Sequence, residues 1–324
     1  MNILIPNIGR RGYLVKYIKE TKNFDGKVYV SDCVNTASGL YGRNDGAFIL
    51  PKPVDNEEKY VSDLLNLCND KDIKIIIPII DPEIYILSKF REKFLKKNIM
   101  LMVSSEQVLN ICYNKLEMNE FLKKNKFLFP KTYNEINRFQ NAISNREIDF
   151  PVIIKPIYGS GSEDTYIVNS MEEVNAHFKE GSLIQQFIEG QEYGVDVFND
   201  KDNKPIRCVV KKKLAMRSGE TDKAISVKDS NIQSKVIDLA KHLKHFGNMD
   251  CDVIVNNDNV YFIDLNPRFG GGYPTTHEAN VNLLELIIQL AQGKEIKADF
   301  DNYKENVLVM KEVAIVSTEV KIDE

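Results

Sequence analysis

The stretch NVYFIDLNPRFGGGYP, residues 259–274, places polar side chains at every second position directly after an apolar run. Asp264, Asn266 and Arg268 should therefore leave the same face of a β-strand, because side chains alternate between its two faces. Carboxylate and carboxamide oxygens are ligands for hard cations, and an arginine beyond them suits an anionic oxygen. The stretch predicts a strand that ends at a metal and phosphate site.

A second acid-bearing strand is predicted just upstream. Apolar runs at 253–255 and 260–263 flank the turn-forming residues NNDN. This pattern predicts a hairpin in which Asp252 and Asp264 lie side by side. Two carboxylates at that separation would repel each other unless a cation lay between them. The alternative, that Asp252 is an idle, solvated residue at a strand end, stays open at this point.

Length and composition restrict the class of protein. A chain of 324 residues is long enough for two domains, and a formal net charge of −4 with mixed signs gives no reason to expect nucleic acid as a partner. No apolar run approaches the roughly 20 residues of a membrane helix, and the first residues lack a signal-peptide pattern, so we expect a cytoplasmic protein without membrane contact. The five widely spaced cysteines argue against disulfides and zinc.

The first hundred residues alternate strand and helix patterns, which predicts a parallel α/β domain over residues 1–104. Ligands of such sheets bind at the carboxyl ends of the strands, where Asp81 and Glu83 are candidate substrate contacts. Asp81 is also placed to be the N-cap of the helix that follows it. Gly9 and Gly12 fall short of the GxGxxG fingerprint, which argues against a nicotinamide-dependent oxidoreductase.

Residues 105–324 are predicted to form a second, α+β domain with two linker helices at 105–126, a small lobe at 127–187 and a larger lobe at 188–324. In the small lobe, Lys155 ends an apolar strand and precedes a glycine-rich turn. Backbone N–H groups and hydroxyls of such a turn can close over phosphates, although an ordinary mobile turn is the alternative. The turn consists of Gly159, Ser160, Gly161 and Ser162.

The sequence QQFIEGQEYGVDV, residues 185–197, reads as a hinge between two β segments. Backbone groups of Gln186, Phe187 and Ile188 are candidates for pairing with an adenine edge. The carboxylate of Glu192 is a candidate acceptor for ribose hydroxyls.

A cationic row follows the hinge. Lys211, Lys213 and Arg217 share strand parity, so they could point into a cleft toward phosphate or an acceptor carboxylate. The alternative is a solvated edge strand whose lysines discourage aggregation. The residues SGE after Arg217 predict a turn that holds the strand end near the site.

In this order, the segments NKLEMNEFL, FPVIIKP, GSGS, QQFIEGQEYGVDV, DCDVIV and FIDLNPR resemble the ATP-grasp superfamily over about residues 105–275. The N-terminal α/β unit resembles the pre-ATP-grasp domain of that family, and the whole is most similar to the carbamoyl-phosphate synthase large subunit and its short single-unit relatives. The resemblance implies an ATP-dependent carboxylate–amine or carboxylate–thiol ligase that works through an acyl phosphate. It also allows a homodimer formed through the N-terminal domain.

The resemblance assigns roles by position: ATP phosphate contacts to Lys115 and Lys155, ribose to Glu192, Mg²⁺ to Asp252, Asp264 and Asn266, and the transferred phosphoryl group to Arg268. One or two Mg²⁺ ions are implied, with Mn²⁺ as a substitute. We add Arg217 as a second catalytic candidate, and the FGGGYP loop with Gly271 as part of the substrate pocket.

The sequence departs from the common pattern of the family in two places. Gln186 stands where a glutamate often meets the adenine amino group, and aspartates stand where longer side chains are frequent at the metal. Two other functions stay open: activation of bicarbonate as in carbamoyl-phosphate synthesis, and non-catalytic ATP sensing. The expected partners are a small carboxylate and a small amine.

Overall fold

The computed structural model describes residues 1–159 and 164–319. The chain divides into two compact units. Of the described residues, the first contains 1–106, 282–297 and 310–319, and the second contains 107–159, 164–281 and 298–309. Residues 282–297, placed above in a domain of residues 105–324, therefore belong to the first unit.

The first unit is built on a parallel sheet, as the alternation of strand and helix patterns predicts. Its strands are β1 (Asn2–Ile5), β2 (Val28–Asp32), β3 (Ala47–Ile49), β4 (Ile73–Ile76) and β5 (Met100–Leu101). They lie in the order β3-β2-β1-β4-β5. Its helices in this part of the chain are α1 (Tyr13–Lys19), α2 (Glu57–Asp70), α3 (Asp81–Lys89) and α4 (Arg91–Leu95).

The second unit contains helices and two antiparallel arrangements of strands. Its helices are α5 (Glu106–Tyr113), α6 (Lys115–Lys124), α7 (Ile136–Ser144), α8 (Met171–His177), α9 (Ser230–Leu243) and α10 (Tyr273–Glu278). A four-stranded sheet has the order β6-β9-β7-β8, with β6 at Thr132–Tyr133, β7 at Val152–Pro156, β8 at Tyr166–Val168 and β9 at Ser182–Gln186.

The larger sheet of the second unit has six strands. They are β10 (Gln191–Asn199), β11 (Pro205–Arg217), β12 (Glu220–Val227), β13 (Gly247–Asn256), β14 (Asn259–Asn266) and β15 (Leu308–Met310), in the order β14-β13-β10-β11-β12-β15. Strand β10 thus lies in the interior of the sheet between β11 and β13, with antiparallel pairing to both. This arrangement brings side chains from three strands together on one face.

Helix α9 packs against one face of the six-stranded sheet. Its apolar residues recur at helical spacing, and five of them are buried: Ile232, Val236, Leu239, Ala240 and Leu243. They belong to one apolar cluster with residues of β10, β11, β13 and β14. The helix fixes the sheet from one side and leaves the opposite face for polar groups.

The last helix, α11 (Leu283–Ala291), belongs to the first unit, where it packs against α1. The Asn282 side chain that caps it also donates a hydrogen bond of 2.9 Å to the hydroxyl of Thr21. These contacts explain why this segment leaves the second unit. In the two described ranges, no helix is long and apolar enough to cross a membrane.

Candidate active site

The hairpin of β13 and β14 brings two acids together as predicted. Asp252 is the direct cross-strand partner of Asp264, and Asp250 is the partner of Asn266. The connecting residues Asn257 and Asp258 both have positive φ angles, of 46° and 67°. This is the combination that a two-residue type I′ hairpin turn requires. The turn therefore fixes the register that pairs the carboxylates.

A chain of hydrogen bonds orients the end of β14. The amide nitrogen of Asn266 donates to Asp264 Oδ2 at 3.2 Å, and a guanidinium nitrogen of Arg268 donates to Asn266 Oδ1 at 3.2 Å. The strand ends at Asn266, and Arg268 is brought back by a tight turn in which its N–H bonds the carbonyl of Asn266 at 2.7 Å. Arg268 thus lies beside the two candidate metal ligands through this turn, whereas strict alternation places it on the strand itself.

Two buried lysines on β11 pair with acids of the neighbouring strands. Lys213 Nζ lies 2.7 Å from Asp252 Oδ1 and 2.6 Å from Glu192 Oε1. Lys211 Nζ lies 2.6 Å from Asp196 Oδ2 and 3.6 Å from Asp250 Oδ1. The alternative of a solvated edge strand is wrong for these lysines, because β11 is an interior strand and both side chains are less than a tenth exposed.

The local charge balance favours an additional cation. Burial raises the pKa of the Asp252 carboxyl to about 7, and the neighbouring carboxylates of Asp250 and Glu192 add to that rise while Lys213 opposes it. A carboxyl whose pKa is raised by other acids is stabilised in its ionised form by any cation that binds there. Asp252 is therefore not an idle strand-end residue.

Strand β7 of the small sheet and helix α6 each contribute one lysine. Burial lowers the pKa of Lys155, at the end of β7, to about 8, while the charge of Asp264 partly restores it and that of Lys115 lowers it further. The ammonium of Lys115 is buried and donates to the carbonyl of Gly159 at 2.6 Å. Gly159 has a φ of +104°, which favours glycine. Three predicted phosphate contacts, Ser160, Gly161 and Ser162, lie outside the described residues.

The first residue of the predicted adenine contact, Gln186, already uses its backbone N–H in a hydrogen bond within the protein. The N–H of Gln186 donates to the carbonyl of Lys131 at 2.8 Å, and its side-chain oxygen accepts from the N–H of Lys131 at 3.3 Å. A nucleotide base would therefore have to use other groups, such as those of Phe187, which is 36% exposed, or of the buried Ile188. Glu192 pairs with Lys213, although its side chain is 40% exposed and keeps access to solvent.

The β11–β12 hairpin and the glycine loop lie close together. Arg217 ends β11, is 56% exposed and pairs with Asp222 at 3.3 Å. The predicted turn after it is confirmed, with positive φ angles at Ser218 and Gly219. A Cβ on Gly271 would lie only 3.0 Å from the Cβ of Glu220. The glycine loop can approach the hairpin because it lacks this side chain.

The two acids of the first unit differ from expectation. Helix α3 begins at Asp81 with Ile80 as its cap residue, so the N-cap prediction for Asp81 is wrong. Asp81 is half-buried in the first turn, where its charge favours the helix N-terminus. Glu83 is completely buried, and its carboxylate accepts hydrogen bonds from the Asn7 amide at 2.9 Å and from the Tyr60 hydroxyl. Those contacts are internal, which leaves no support for Glu83 as a substrate contact.

Several residues of this region were missed by sequence reasoning. Asp250 alternates with Asp252, so strand parity alone could have placed both on one face. Asp196 could have been noticed as the only acid in the apolar run VDVF, but its partner Lys211 is fixed by the strand register. Within residues 1–159 and 164–319, no three His, Cys, Asp or Glu side chains form a ready-made metal site. The candidate set has two carboxylates and one amide, so further ligands would come from nucleotide phosphates and water.

Two family models match this chain. An ATP-grasp domain matches residues 112–272, and a PylC-like N-terminal domain matches residues 3–102. The carbamoyl-phosphate synthase of Methanobrevibacter smithii is 24% identical over 267 residues, which cover 77% of this chain and 70% of that protein. The carbamoyl phosphate synthase large chain of Clostridium acetobutylicum is 24% identical over 250 residues, but the match covers only 23% of its length.

The fold is shared with solved structures. The biotin carboxylase of Campylobacter jejuni, solved as a complex with a nucleotide, has a TM-score of 0.74 at 18% identity, over 95% of this chain and 74% of that one. The two domain matches account for most of the residues between 3 and 272, and the candidate site lies within the ATP-grasp match. The chain belongs to the ATP-grasp superfamily and carries a PylC-like N-terminal domain.

Proposed function

We propose that this protein is an ATP- and Mg²⁺-dependent ligase that joins a carboxylate to an amine, or to a thiol, through an acyl phosphate. The observation that carries the proposal is the hydrogen-bonded series Asp264, Asn266 and Arg268, set beside Asp252 on the paired strand. The ATP-grasp domain match supports the same reading, as does the similarity to carbamoyl-phosphate synthases.

The residues present fit a divalent metal. Asp252, Asp264 and Asn266 offer hard oxygen ligands on one hairpin, and burial, together with the neighbouring acids Asp250 and Glu192, raises the pKa of Asp252. These three residues would hold Mg²⁺, which in such sites keeps water and phosphate oxygens as its other ligands. When bound, it neutralises phosphate charge and orients the nucleotide.

The reaction needs positioning and charge neutralisation more than a nucleophilic side chain. An oxygen of the substrate carboxylate attacks the γ-phosphorus, and the bond to the β-phosphate oxygen breaks with its electron pair leaving on ADP. The amine nitrogen then attacks the acyl carbon, phosphate leaves with the former carboxylate oxygen, and the nitrogen loses a proton. Arg268, Lys155 and Lys115 would face the negative charge during the first step.

The carbamoyl-phosphate synthase relatives support a second candidate, in which bicarbonate is the carboxylate. The proposed partners are thus a small carboxylate and a small amine in the first case, and bicarbonate in the second. A homodimer is part of the proposal, and sedimentation velocity tests it.

A phosphate-release screen tests the function. The protein is incubated with Mg-ATP and pairs of carboxylic acids and amines, with each substrate also added alone and with bicarbonate in separate wells. Turnover that requires both an acid and an amine is the expected result. Turnover with bicarbonate alone would favour the second candidate. Nucleotide binding without turnover in any well would contradict both and favour an ATP sensor.

A further inference from the structure

Gly194 lies between the lysines of β11 and the acids of β13. On the central strand β10 it is paired with Lys211 of β11 on one side and with Asp252 of β13 on the other. A Cβ at Gly194 would lie 3.3 Å from the Cε of Lys213 and 3.6 Å from both Lys211 Cε and Asp252 Oδ1. The lysines of β11 therefore reach the acids of β13 across the backbone of Gly194, which has no side chain.

Lys213 occupies a position that conflicts with a metal. Its ammonium lies 2.7 Å from Asp252, which is one of the three candidate metal ligands. A divalent cation on the same carboxylate would repel that ammonium strongly, because like charges a few ångströms apart interact strongly in a partly buried setting. Both cations therefore compete for Asp252.

The two lysines differ in how firmly they are held. Lys211 is 1% exposed, and its partner Asp196 is 0% exposed and also accepts hydrogen bonds from Thr276 and Asn248. Lys213 is 7% exposed, and its partners Asp252 and Glu192 are 20% and 40% exposed. Lys211 and its partner Asp196 are thus both fully buried. Lys213 is also buried, but its partners Asp252 and Glu192 are partly exposed to solvent.

On the basis of the function proposed above, we propose that Lys213 is an exchangeable counter-cation of the metal site. In the metal-free protein it neutralises Asp252 and Glu192 and holds them in place. On binding of the metal–nucleotide complex its ammonium leaves Asp252 for an anionic oxygen of the nucleotide phosphates, and Gly194 leaves the space in which the side chain moves. Lys213 is accordingly a positioning residue, and the metal replaces it as the cation that neutralises Asp252.

Titration of nucleotide-free protein with Mn²⁺, followed by the EPR signal of the free ion, tests the exchange. Lys213→Met removes the competing charge, so Mn²⁺ should bind about tenfold more tightly or better than to wild type. Lys212→Met is the matched control, because Lys212 is the neighbouring lysine on the other face of β11 and should leave Mn²⁺ affinity unchanged. Binding of Mn²⁺ with a non-hydrolysable ATP analogue should instead weaken in Lys213→Met, since the phosphate contact is lost.

Two further variants keep the test decisive. Lys213→Gln repeats it with a polar, uncharged side chain if the methionine variant melts early, and Lys213→Arg keeps the charge and should retain the wild-type affinity for Mn²⁺. An affinity for Mn²⁺ that is unchanged or weaker in both uncharged variants would overturn the proposal, as would the absence of Mn²⁺ binding from every variant. Tighter Mn²⁺ binding in the uncharged variants, combined with no turnover in the substrate screen, would support the exchange of cations. In that case only the ligase function would be rejected.

Discussion

The two units bury carboxylates in opposite ways. In the second unit, Asp196 and Asp252 are paired with the ammonium groups of Lys211 and Lys213. In the first unit, the buried Glu83 is bonded by neutral donors, the amide of Asn7 and the hydroxyl of Tyr60. The amide of Asn7 and the ring hydroxyl of Tyr60 have few rotatable bonds and hold Glu83 in place, whereas a lysine at the end of a flexible stem can give its place to another cation.

Energetics sharpens this contrast. A buried ion pair is seldom more stabilising than a well-packed apolar pair, because taking both charges out of water costs several kcal/mol. Two such pairs side by side on one sheet are therefore poorly explained by stability alone. These pairs lie next to Asp264 and Asn266, which agrees with a role in the binding and exchange of cations.

The largest expected effect is on the hairpin of the second unit. Asp264→Asn removes a candidate metal ligand while conserving size, and should lower Mg-ATP turnover by about 10²- to 10³-fold, as loss of one preorganised charged group typically does. Phosphate release with the substrate pair found in the screen measures it. Asp258→Asn, in the turn of the same hairpin, is the matched control, because asparagine tolerates the positive φ found there.

Near-wild-type turnover in Asp264→Asn, with a normal melting curve, would show that the metal assignment is wrong. Loss of turnover in Asp258→Asn as well would point to damage of the hairpin rather than of the site.

The next effect concerns the neutral-donor arrangement of the first unit. Burial raises the pKa of Glu83 to about 7, so between the unfolded value near 4.5 and about 7 the native state holds a proton that the unfolded state has released. Stability should therefore be fully present below pH 4.5 and fall by about 3 kcal/mol as pH rises through 7. Glu83→Gln should remove that fall.

Denaturant unfolding of wild type and variant at pH 5 and pH 8 measures the difference. Glu92→Gln, an exposed glutamate of the same unit, is the control and should keep the wild-type pH dependence. If the free energy of unfolding changes equally between pH 5 and pH 8 in wild type and Glu83→Gln, Glu83 is ionised in the native state across this range. The neutral donors would then stabilise a charged carboxylate, and the contrast between the two units would be smaller.

A smaller effect is expected at Lys155. Because burial lowers its pKa to about 8, the lysine loses its charge above that pH and with it its attraction for phosphate. The value of kcat/KM for ATP should fall about tenfold between pH 7 and pH 9, as one titrating group predicts. Lys155→Arg should shift the fall to higher pH, whereas Lys179→Arg on the surface should not. A wild-type profile that stays flat to pH 9 would exclude this role.

The smallest effect is expected at Asp81. Serine in its place costs the helix only the charge interaction at its first turn, about 0.5 kcal/mol, so Asp81→Ser should fold normally. If Asp81 contacts the substrate amine, the variant should raise the KM for the amine a few-fold and leave the KM for ATP unchanged, which serves as the internal control. Equal constants for both proteins would limit Asp81 to its place in the helix.

How far the sequence predicts the structure depends on the range of the contacts. The hairpin of Asp252 and Asp264 follows from local alternation and a short turn, and the parallel sheet follows from the order of patterns along the chain. The burial of Glu83 depends on Asn7, which is 76 residues away, so no local pattern could predict it. The passage of lysines across Gly194 requires the register of three strands at once.

Isotope transfer tests the central claim most directly. The carboxylate substrate found in the screen is labelled with ¹⁸O in both oxygens and turned over once with Mg-ATP and the amine, and the phosphate released is analysed by mass spectrometry. An acyl phosphate requires that one ¹⁸O per turnover appear in inorganic phosphate, with ADP as the other product. Phosphate without label, or the formation of AMP and pyrophosphate, would contradict the proposed mechanism.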